Sequence, residues 1–467
     1  MNSNLFTSPL KVINIGLTSF KEALDQVETP SLQLAWRPPL VAADLYKCAQ
    51  KTLASNSKQQ TIATANKLAV EKLLAARPTL IGMGQASEVI PGMHQDLILH
   101  AGPPITWERM CGPMKGAVIG ALIYEGRAPS FEAAEKLILD GCIKFDPCHE
   151  HQCVGPMAGV ISPSMPVFII KNESEGNLSF ATMNEGLGKV LRYGANSSEV
   201  ISRLKWMEQE LYPLLAETLK AIGNLDLKAI MAQALHMGDE VHNRNRAATS
   251  LFFRQIAPVM AKLPGASEAL SFINSNDHFF LNLSMAAAKA SLDPLANVAN
   301  SSLVYTMARN GTDFGIKIAG LGNRWFTGTA PIPKALYFPG YSEADANPDI
   351  GDSAITETYG VGGMAMAASP AIVQFVGGNV SDAINYTLQM YEITACENSS
   401  YQIPYLNFRG SPTAIDLLKV IDKNILPVIN TGVAHKLPGV GQVGAGVLNA
   451  PSEPFVKAYL EFIESIK

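Results

Sequence analysis

The residues whose types and spacing invite chemistry cluster at Asp146-Pro-Cys148-His149-Glu150-His151-Gln-Cys153-Val-Gly155-Pro156-Met-Ala-Gly159-Val-Ile-Ser162. Two histidines, two cysteines and two carboxylates fall within eight residues, and 20 residues without Lys, Arg, Asp or Glu follow from His151 to Ile170. Pro147 before the cluster and Gly155-Pro156 after it argue against a helix, so the stretch is expected to be extended. Alternate side chains of a strand share a face, which would group His149, His151 and Cys153 and set Asp146, Cys148 and Glu150 opposite. Three such groups on one face suit a metal, although no fourth ligand stands at a recognisable spacing. A non-metal site in which His149, Glu150 or His151 moves a proton is the second reading, and a structural polar loop the third.

Other polar segments share the pattern of titratable groups at the edge of uncharged sequence. In Met237-Gly-Asp239-Glu240-Val-His242-Asn243-Arg244-Asn245-Arg246 a helical wheel puts Asp239, His242, Asn243, Arg246 and Ser250 on one polar stripe. Arg244 and Asn245 intrude on the apolar stripe. A buried Arg needs a partner or an anion, which makes these two candidates for a site, with a helix–helix ion pair as the alternative. Asn276-Asp277-His278 needs no more than a helix cap to explain it. Arg309-Asn310-Gly-Thr-Asp313 is a polar turn before a strand, and Glu357 precedes a long uncharged run as Glu150 does. Gly439-Val-Gly441-Gln-Val-Gly444 matches G-x-G-x-x-G, yet the nearest strand is expected to end at Ile429 and no acidic residue follows where a ribose contact needs one. The loop with His435 and Lys436 can instead cradle a phosphate. Gly82-Met-Gly84-Gln-Ala-Ser87 reads as a plain turn or a βα anion turn. No G-x-S-x-G, Walker or H-E-x-x-H motif occurs.

The elements that must position these residues alternate early. Lys11–Gly16 and Leu32–Trp36 read as strands flanking a Ser-capped helix, and with a strand at Thr79–Gly82 they suggest a Rossmann-like parallel unit. Val167–Ile170 and Leu178–Thr182 flank a polar turn as a hairpin. The texture from Ser197 to Pro294 is helical, including one helix from Glu240 to Ile256, and the remainder is mixed. The expected class is multidomain α/β and α+β. Its segments are an N-terminal α/β domain at 1–100, an α+β domain with the cysteine–histidine cluster at 101–196, an inserted helical domain at 197–293, and a C-terminal α+β domain at 294–467.

At 467 residues the chain exceeds one ordinary core. Charged residues make up 16% against about 25% in typical soluble domains, which points to homo-oligomerisation or docking to partner subunits. A net charge of −5 gives no electrostatic footprint for nucleic acid. The uncharged stretches His151–Ile170 and Thr358–Ser381 are broken by Pro and Gly and read as buried core rather than membrane spans. Six cysteines are too sparse for a disulfide scaffold, and no basic leader precedes an apolar run, so a cytoplasmic protein is expected.

Long ordered motifs carry a resemblance: Asn14-Ile-Gly-Leu with Trp36-Arg-Pro-Pro39, Gly102-Pro-Pro-Ile-Thr-Trp107-Glu, and Cys148-His-Glu-His with Val154-Gly-Pro-Met-Ala-Gly-Val-Ile-Ser162. The series continues in His236-Met-Gly-Asp-Glu-Val-His-Asn-Arg-Asn245, Arg309-Asn-Gly-Thr-Asp313, Asp352-Ser-Ala-Ile-Thr-Glu357 and Asn430-Thr-Gly-Val-Ala-His435. Over nearly its whole length the chain resembles the YlbE-like family. That resemblance implies a subunit of oxamate carbamoyltransferase, working with an FdrA-like subunit and a third subunit on carbamoyl phosphate and oxamate, with no cofactor. It supplies no residue assignment. On chemistry alone His149, Glu150, His151, Arg244 and Asn245 are the catalytic candidates. His242, Asn243, Arg309, Asn310, Asp313, Glu357, His435 and Lys436 are the substrate-binding ones. The S-x-R-T-R phosphate motif of the aspartate and ornithine carbamoyltransferases is absent. A metal-dependent hydrolase or lyase using His149, His151 and Cys153, and a non-catalytic scaffold subunit, are the alternatives.

Overall fold

Apolar periodicity settles where most elements lie, and tertiary pairing settles their directions. A computed structural model describes residues 10–34 and 36–467. At its start the strands Val12–Ile15 and Ser31–Leu34 pair in parallel around the helix Thr18–Gln26, the expected βαβ unit. Leu17, not a serine, precedes that helix, and no side chain caps it. The expected third parallel strand goes elsewhere. Pro78–Gln85 pairs antiparallel with Pro166–Asn172 and with Leu225–Asp226, and Leu178–Thr182 completes that four-stranded sheet. Alternation marks a buried strand but carries no information on partner direction. The glycines at 82 and 84 lie within this strand rather than in a turn.

The parallel pair Leu97–His100 and Lys144–Pro147 delivers the chain to the cysteine–histidine cluster. Helices then dominate: Ser198–Trp206, Tyr212–Ile222, Leu227–His236, Arg246–Met260, Ala266–Ser275 and Leu281–Leu292. The two-residue strand Leu225–Asp226 interrupts them. Every residue of Leu281–Leu292 is buried, so this helix is an axis on which neighbours pack. The helix expected from Glu240 begins only at Arg246, leaving His242, Asn243, Arg244 and Asn245 in a loop.

Beyond it a four-stranded antiparallel sheet is ordered Phe326–Thr329, Asp313–Ile318, Val304–Asn310, Ile350–Gly351. Lys334–Tyr337, Gln442–Asn449 and Val428–Ala434 form another, and Thr394–Ile403 pairs with Arg409–Ile415. The G-x-G-x-x-G run leads into the strand Gln442–Asn449 instead of following one into a helix. The largest apolar core joins Leu73, Leu80, Phe168, Phe252, Phe279, Tyr359 and Tyr401, so it crosses the segment boundaries at 100, 196 and 293. The protein is mixed, multidomain α/β with antiparallel α+β parts. Among the described residues no helix is long and apolar enough to cross a membrane.

Candidate active site

Three carboxylates on one short segment, Asp349 to Glu357, underlie the buried cations and imidazoles. Asp352–Ala354 is a 3₁₀ turn running into the helical turn Ile355–Thr358, every residue of it buried. Asp349 takes Arg309, Asp352 faces His149, and Glu357 takes His242.

The His242 pair combines a firm carboxylate bond with one free ring nitrogen. Its Nδ1 lies 2.7 Å from Glu357 Oε1, and both side chains are buried. Glu357 also accepts from Gly363 N at 2.7 Å and from Thr356 Oγ1 at 3.1 Å, so the carboxylate is fixed. With Nδ1 bonded, Nε2 is the nitrogen left to accept a proton; it has no protein partner among the described residues. The loop is held by its own carboxylate: Glu240 accepts from His242 N at 3.0 Å and Arg244 N at 2.6 Å. Val241, between Glu240 and His242, has φ 66°, a left-handed conformation unusual for a β-branched residue and typical of functional loops. Burial raises the Glu240 carboxyl to about 7 against the opposing pull of His242, and raises Asp239 to about 6 against the N–H groups of Ala248 and Ala247.

A cleft of about 320 Å³ opens beside this loop, lined by Asn243, Arg244, Asn245, His278 and Phe375 among others. Arg244 is half-buried and makes no ion pair among the described residues. Asn243 Nδ2, Asn245 Oδ1 and His278 Nδ1 are buried without a hydrogen-bond partner. Orphaned polar atoms on the wall of a cleft mark where a ligand would complete them. Burial, and next the charge of Arg192, press the His278 imidazole down to about 4, so it stands neutral. Asn430, whose backbone N–H lies 3.4 Å from Glu357 Oε1, has both amide atoms unpartnered.

The cysteine–histidine cluster is not a strand. Cys148–His151 is a 3₁₀ turn closed by Gln152 at φ 60°, and it sends successive side chains to different surroundings. His149 points into the core, its Nε2 3.5 Å from Asp352 Oδ1, with neither ring nitrogen hydrogen-bonded. Burial, then the charges of Lys289 and Lys317, hold this imidazole well below the usual range, so it is neutral. Asp352 accepts from Gly102 N at 2.8 Å and Gly155 N at 3.0 Å, and burial still raises its carboxyl to about 7. Glu150 turns away to Lys317 at 2.6 Å, Trp325 at 2.8 Å and Asn323, which occupy its acceptors. The two ring nitrogens of His151 face Pro91 O at 2.7 Å and Asp146 Oδ2 at 2.8 Å, while the Cys153 thiol donates to His151 O. The expected His149–His151–Cys153 face does not form, and among the described residues no three His, Cys, Asp or Glu side chains are grouped to hold a metal.

Arg309 is fully buried and spends all five N–H groups inside the chain, on Asp349 (2.6 and 3.0 Å), Gly351 O, Ser353 Oγ and Thr431 Oγ1. It clamps strands and has no donor left for a substrate. Asn310 bonds Pro103 O, Thr312 N and Asp313 N, and Asp313 takes Arg109 at 2.7 Å, so both secure the turn. His435 accepts from Leu437 N, and Lys436 reaches Ala344 O at the exposed end of the strand Val428–Ala434. The structure thus gathers His242, Asn243, Arg244, Asn245 and Glu357, brings His149 onto the same supporting segment, and gives the other candidates to structural partners. Asp352, Asp349 and Glu240 were missed as supports. The Asp352-Ser-Ala-Ile-Thr-Glu357 motif carried the signal, since its two carboxylates stand at the edge of the uncharged stretch Thr358–Ser381.

Known proteins resemble this chain in sequence, and one solved structure resembles it in fold. A model of the family described as oxamate carbamoyltransferase subunit AllG matches residues 143–353. The Escherichia coli (strain K12) protein named oxamate carbamoyltransferase subunit AllG is 42% identical over 413 residues, 87% of this chain and 99% of that protein. This chain belongs to the AllG family. A second E. coli relative, YahG, described as uncharacterized, is 47% identical over 99% of both chains. A crystal structure of a conserved protein of unknown function from Enterococcus faecalis V583 superposes with a TM-score of 0.86 at 49% identity, covering 88% of this chain and 99% of that one. The stretch matched by the AllG model contains His149, His242, Arg244, Arg309 and Asp352, and stops just short of Glu357.

Proposed function

We propose that this chain is a subunit of a cytoplasmic carbamoyltransferase that interconverts oxamate plus carbamoyl phosphate with oxalurate plus phosphate, a late step of allantoin breakdown. An FdrA-like subunit and a third subunit complete the enzyme. Membership of the AllG family supports the reaction class. The observation that carries the reading is a Glu357–His242 pair with an unbonded Nε2, next to a cleft that holds an Arg with no carboxylate partner.

In one direction the oxamate amide nitrogen attacks the carbamoyl carbon. A C–N bond forms, the C–O bond to phosphate breaks, and phosphate leaves with that electron pair. The amide proton passes to His242 Nε2, and Glu357 stabilises the imidazolium formed. An amide nitrogen is a weak nucleophile, so proton removal and close positioning are the main requirements. Arg244 holds phosphate or the oxamate carboxylate. Asn243 Nδ2 offers a donor and Asn245 Oδ1 an acceptor to the amide groups. The leaving group is already activated, so the displacement needs no cofactor.

The test is to purify the chain with its two partner subunits and measure phosphate release from carbamoyl phosphate with and without oxamate. Oxamate-dependent release is expected, with His242→Ala lowering kcat by about a hundredfold and Arg244→Ala mainly raising KM. Absence of oxamate-dependent turnover in every subunit combination sinks the assignment. Full activity of the assembled His242→Ala complex would leave this chain a scaffold.

A further inference from the structure

His278 lines the cleft beside the His242 loop, and the displacement proposed above gives it no task. Helix capping accounts for its neighbours and not for its ring. Asn276 Oδ1 accepts from His278 N at 3.1 Å, and Asn276 Nδ2 donates to Asn184 O at 3.0 Å. Thr249, on the helix Arg246–Met260, donates from Oγ1 to Asp277 O at 3.2 Å and accepts from Phe280 N at 3.1 Å. Phe279 and Phe280 are fully buried, so the backbone on either side of His278 is fixed. The imidazole forms part of the cleft wall, with the Phe375 ring 6.5 Å away between centroids. Packing of a first helical turn does not call for a buried nitrogen with no hydrogen-bond partner, which is what His278 Nδ1 is.

The role open to Nδ1 follows from the other side of the ring. Burial, and next the charge of Arg192, keep the imidazole neutral against the pull of the Asn243 backbone carbonyl, which favours a ring N–H. Since Nδ1 has no partner, that N–H is assigned to Nε2 and the lone pair to Nδ1. His278 thus brings an acceptor to a cleft in which Arg244 and Asn243 Nδ2 bring donors. The substrates of the proposed reaction need acceptors, because oxamate and the carbamoyl group each carry an NH₂. One oxamate N–H goes to His242 Nε2 and the other to Asn245 Oδ1. The carbamoyl NH₂ is left without an acceptor until His278 Nδ1 supplies it.

We propose that His278 Nδ1 accepts an N–H of the carbamoyl group and so selects carbamoyl phosphate over acetyl phosphate, which has a methyl group in place of that NH₂. This role rests on the carbamoyl transfer inferred above and makes His278 the group that recognises the donor substrate. A methyl group facing Nδ1 leaves a buried acceptor unpaired. Sites built to hydrogen-bond an N–H discriminate strongly against analogues that lack it.

The experiment uses the chain assembled with its two partner subunits. Calorimetric titration in the cold, without oxamate, compares carbamoyl phosphate, acetyl phosphate and inorganic phosphate for wild type, His278→Phe and His278→Asn. Wild type is expected to bind carbamoyl phosphate roughly tenfold or more tightly than acetyl phosphate. His278→Phe keeps a ring against Phe375 but has no acceptor, so it should bind the two alike, with its affinity for inorganic phosphate unchanged. An Asn side chain puts Oδ1 near the place of Nδ1, so His278→Asn should recover part of the preference. Three outcomes overturn the role. They are no preference for carbamoyl phosphate in wild type, including binding of neither ligand; a preference that survives in His278→Phe; or equal weakening of all three ligands in both variants, which marks His278 as packing only. Oxamate-dependent turnover is scored separately. Turnover without any preference in binding sinks the role of His278 and leaves the reaction standing. A preference lost in His278→Phe, with no turnover, sinks the reaction and leaves recognition of the carbamoyl group in place.

Discussion

Glu357 and Asp352 differ in what they do for the imidazoles they face. Glu357 bonds His242 directly at 2.7 Å and is itself fixed by Gly363 N. Glu357→Gln keeps an acceptor for Nδ1 but removes the charge that balances an imidazolium, so kcat should fall by roughly 10²- to 10⁴-fold with KM little changed. Steady-state kinetics on the assembled enzyme reads this, and unaltered kcat would remove His242 as the base. Asp352 instead titrates. Its carboxyl sits at about 7 because it is buried, whereas an unfolded chain has it near 3.9, about three units lower. The folded protein binds the extra proton between those values, so this part of its stability is complete below about pH 4 and lost as the pH rises through about 7. Tm should therefore decline from pH 5 to pH 8, and Asp352→Asn should flatten that slope, leaving the shares that Glu240, also at about 7, and Asp239, at about 6, contribute. An equal slope in the variant would show that Asp352 is ionised throughout.

Among the elements, the segment Asp349–Glu357 and the loop before Arg246 meet at Gly362. Gly362 N donates to Glu240 O, its φ is 62°, and a Cβ there would strike the Glu357 carboxylate and lie 3.1 Å from His242 Cβ. Gly362→Ala should cut kcat at least tenfold while the protein stays folded by circular dichroism. Gly439→Ala, at φ 81° but in open space, is the control that keeps its activity. The hairpin at Pro166–Thr182 was legible because the apolar runs Val167–Ile170 and Leu178–Thr182 flank the polar residues Glu173–Asn177. The 3₁₀ turn Cys148–His151 was not, because what holds it lies far along the chain: Glu150 is anchored by Lys317, Asn323 and Trp325. The loop at 239–245 imitated a helix, since its polar residues recur at helical spacing. Its actual shape comes from Glu240 folding back on the N–H groups of His242 and Arg244. A wheel reads spacing and cannot see that competition between side chain and backbone. The hairpin Thr394–Arg409 side escaped notice for a simpler reason, its first strand being Thr394-Ala-Cys-Glu-Asn-Ser-Ser-Tyr-Gln-Ile403, mostly polar.

At the scale of the whole molecule, one core ties together residues from Ala65 to Ala414, while the N-terminal unit contributes nothing to it. Local texture separated a helical stretch from mixed ones, but burial is decided by contacts between segments, which local texture does not report. The bare face at Ile13, Ile15, Leu32 and Leu34 has a cost in solution. Open strand edges beside exposed aliphatic side chains are templates for indiscriminate self-association. Overproduced alone, the chain should give poor soluble yield and be a preferred target of cellular proteolysis. Ile13→Lys should raise that yield. Soluble fractions of wild type and variant, produced in parallel, measure it. The solubility of the whole chain would then be set by residues 11–34, which add nothing to its largest core.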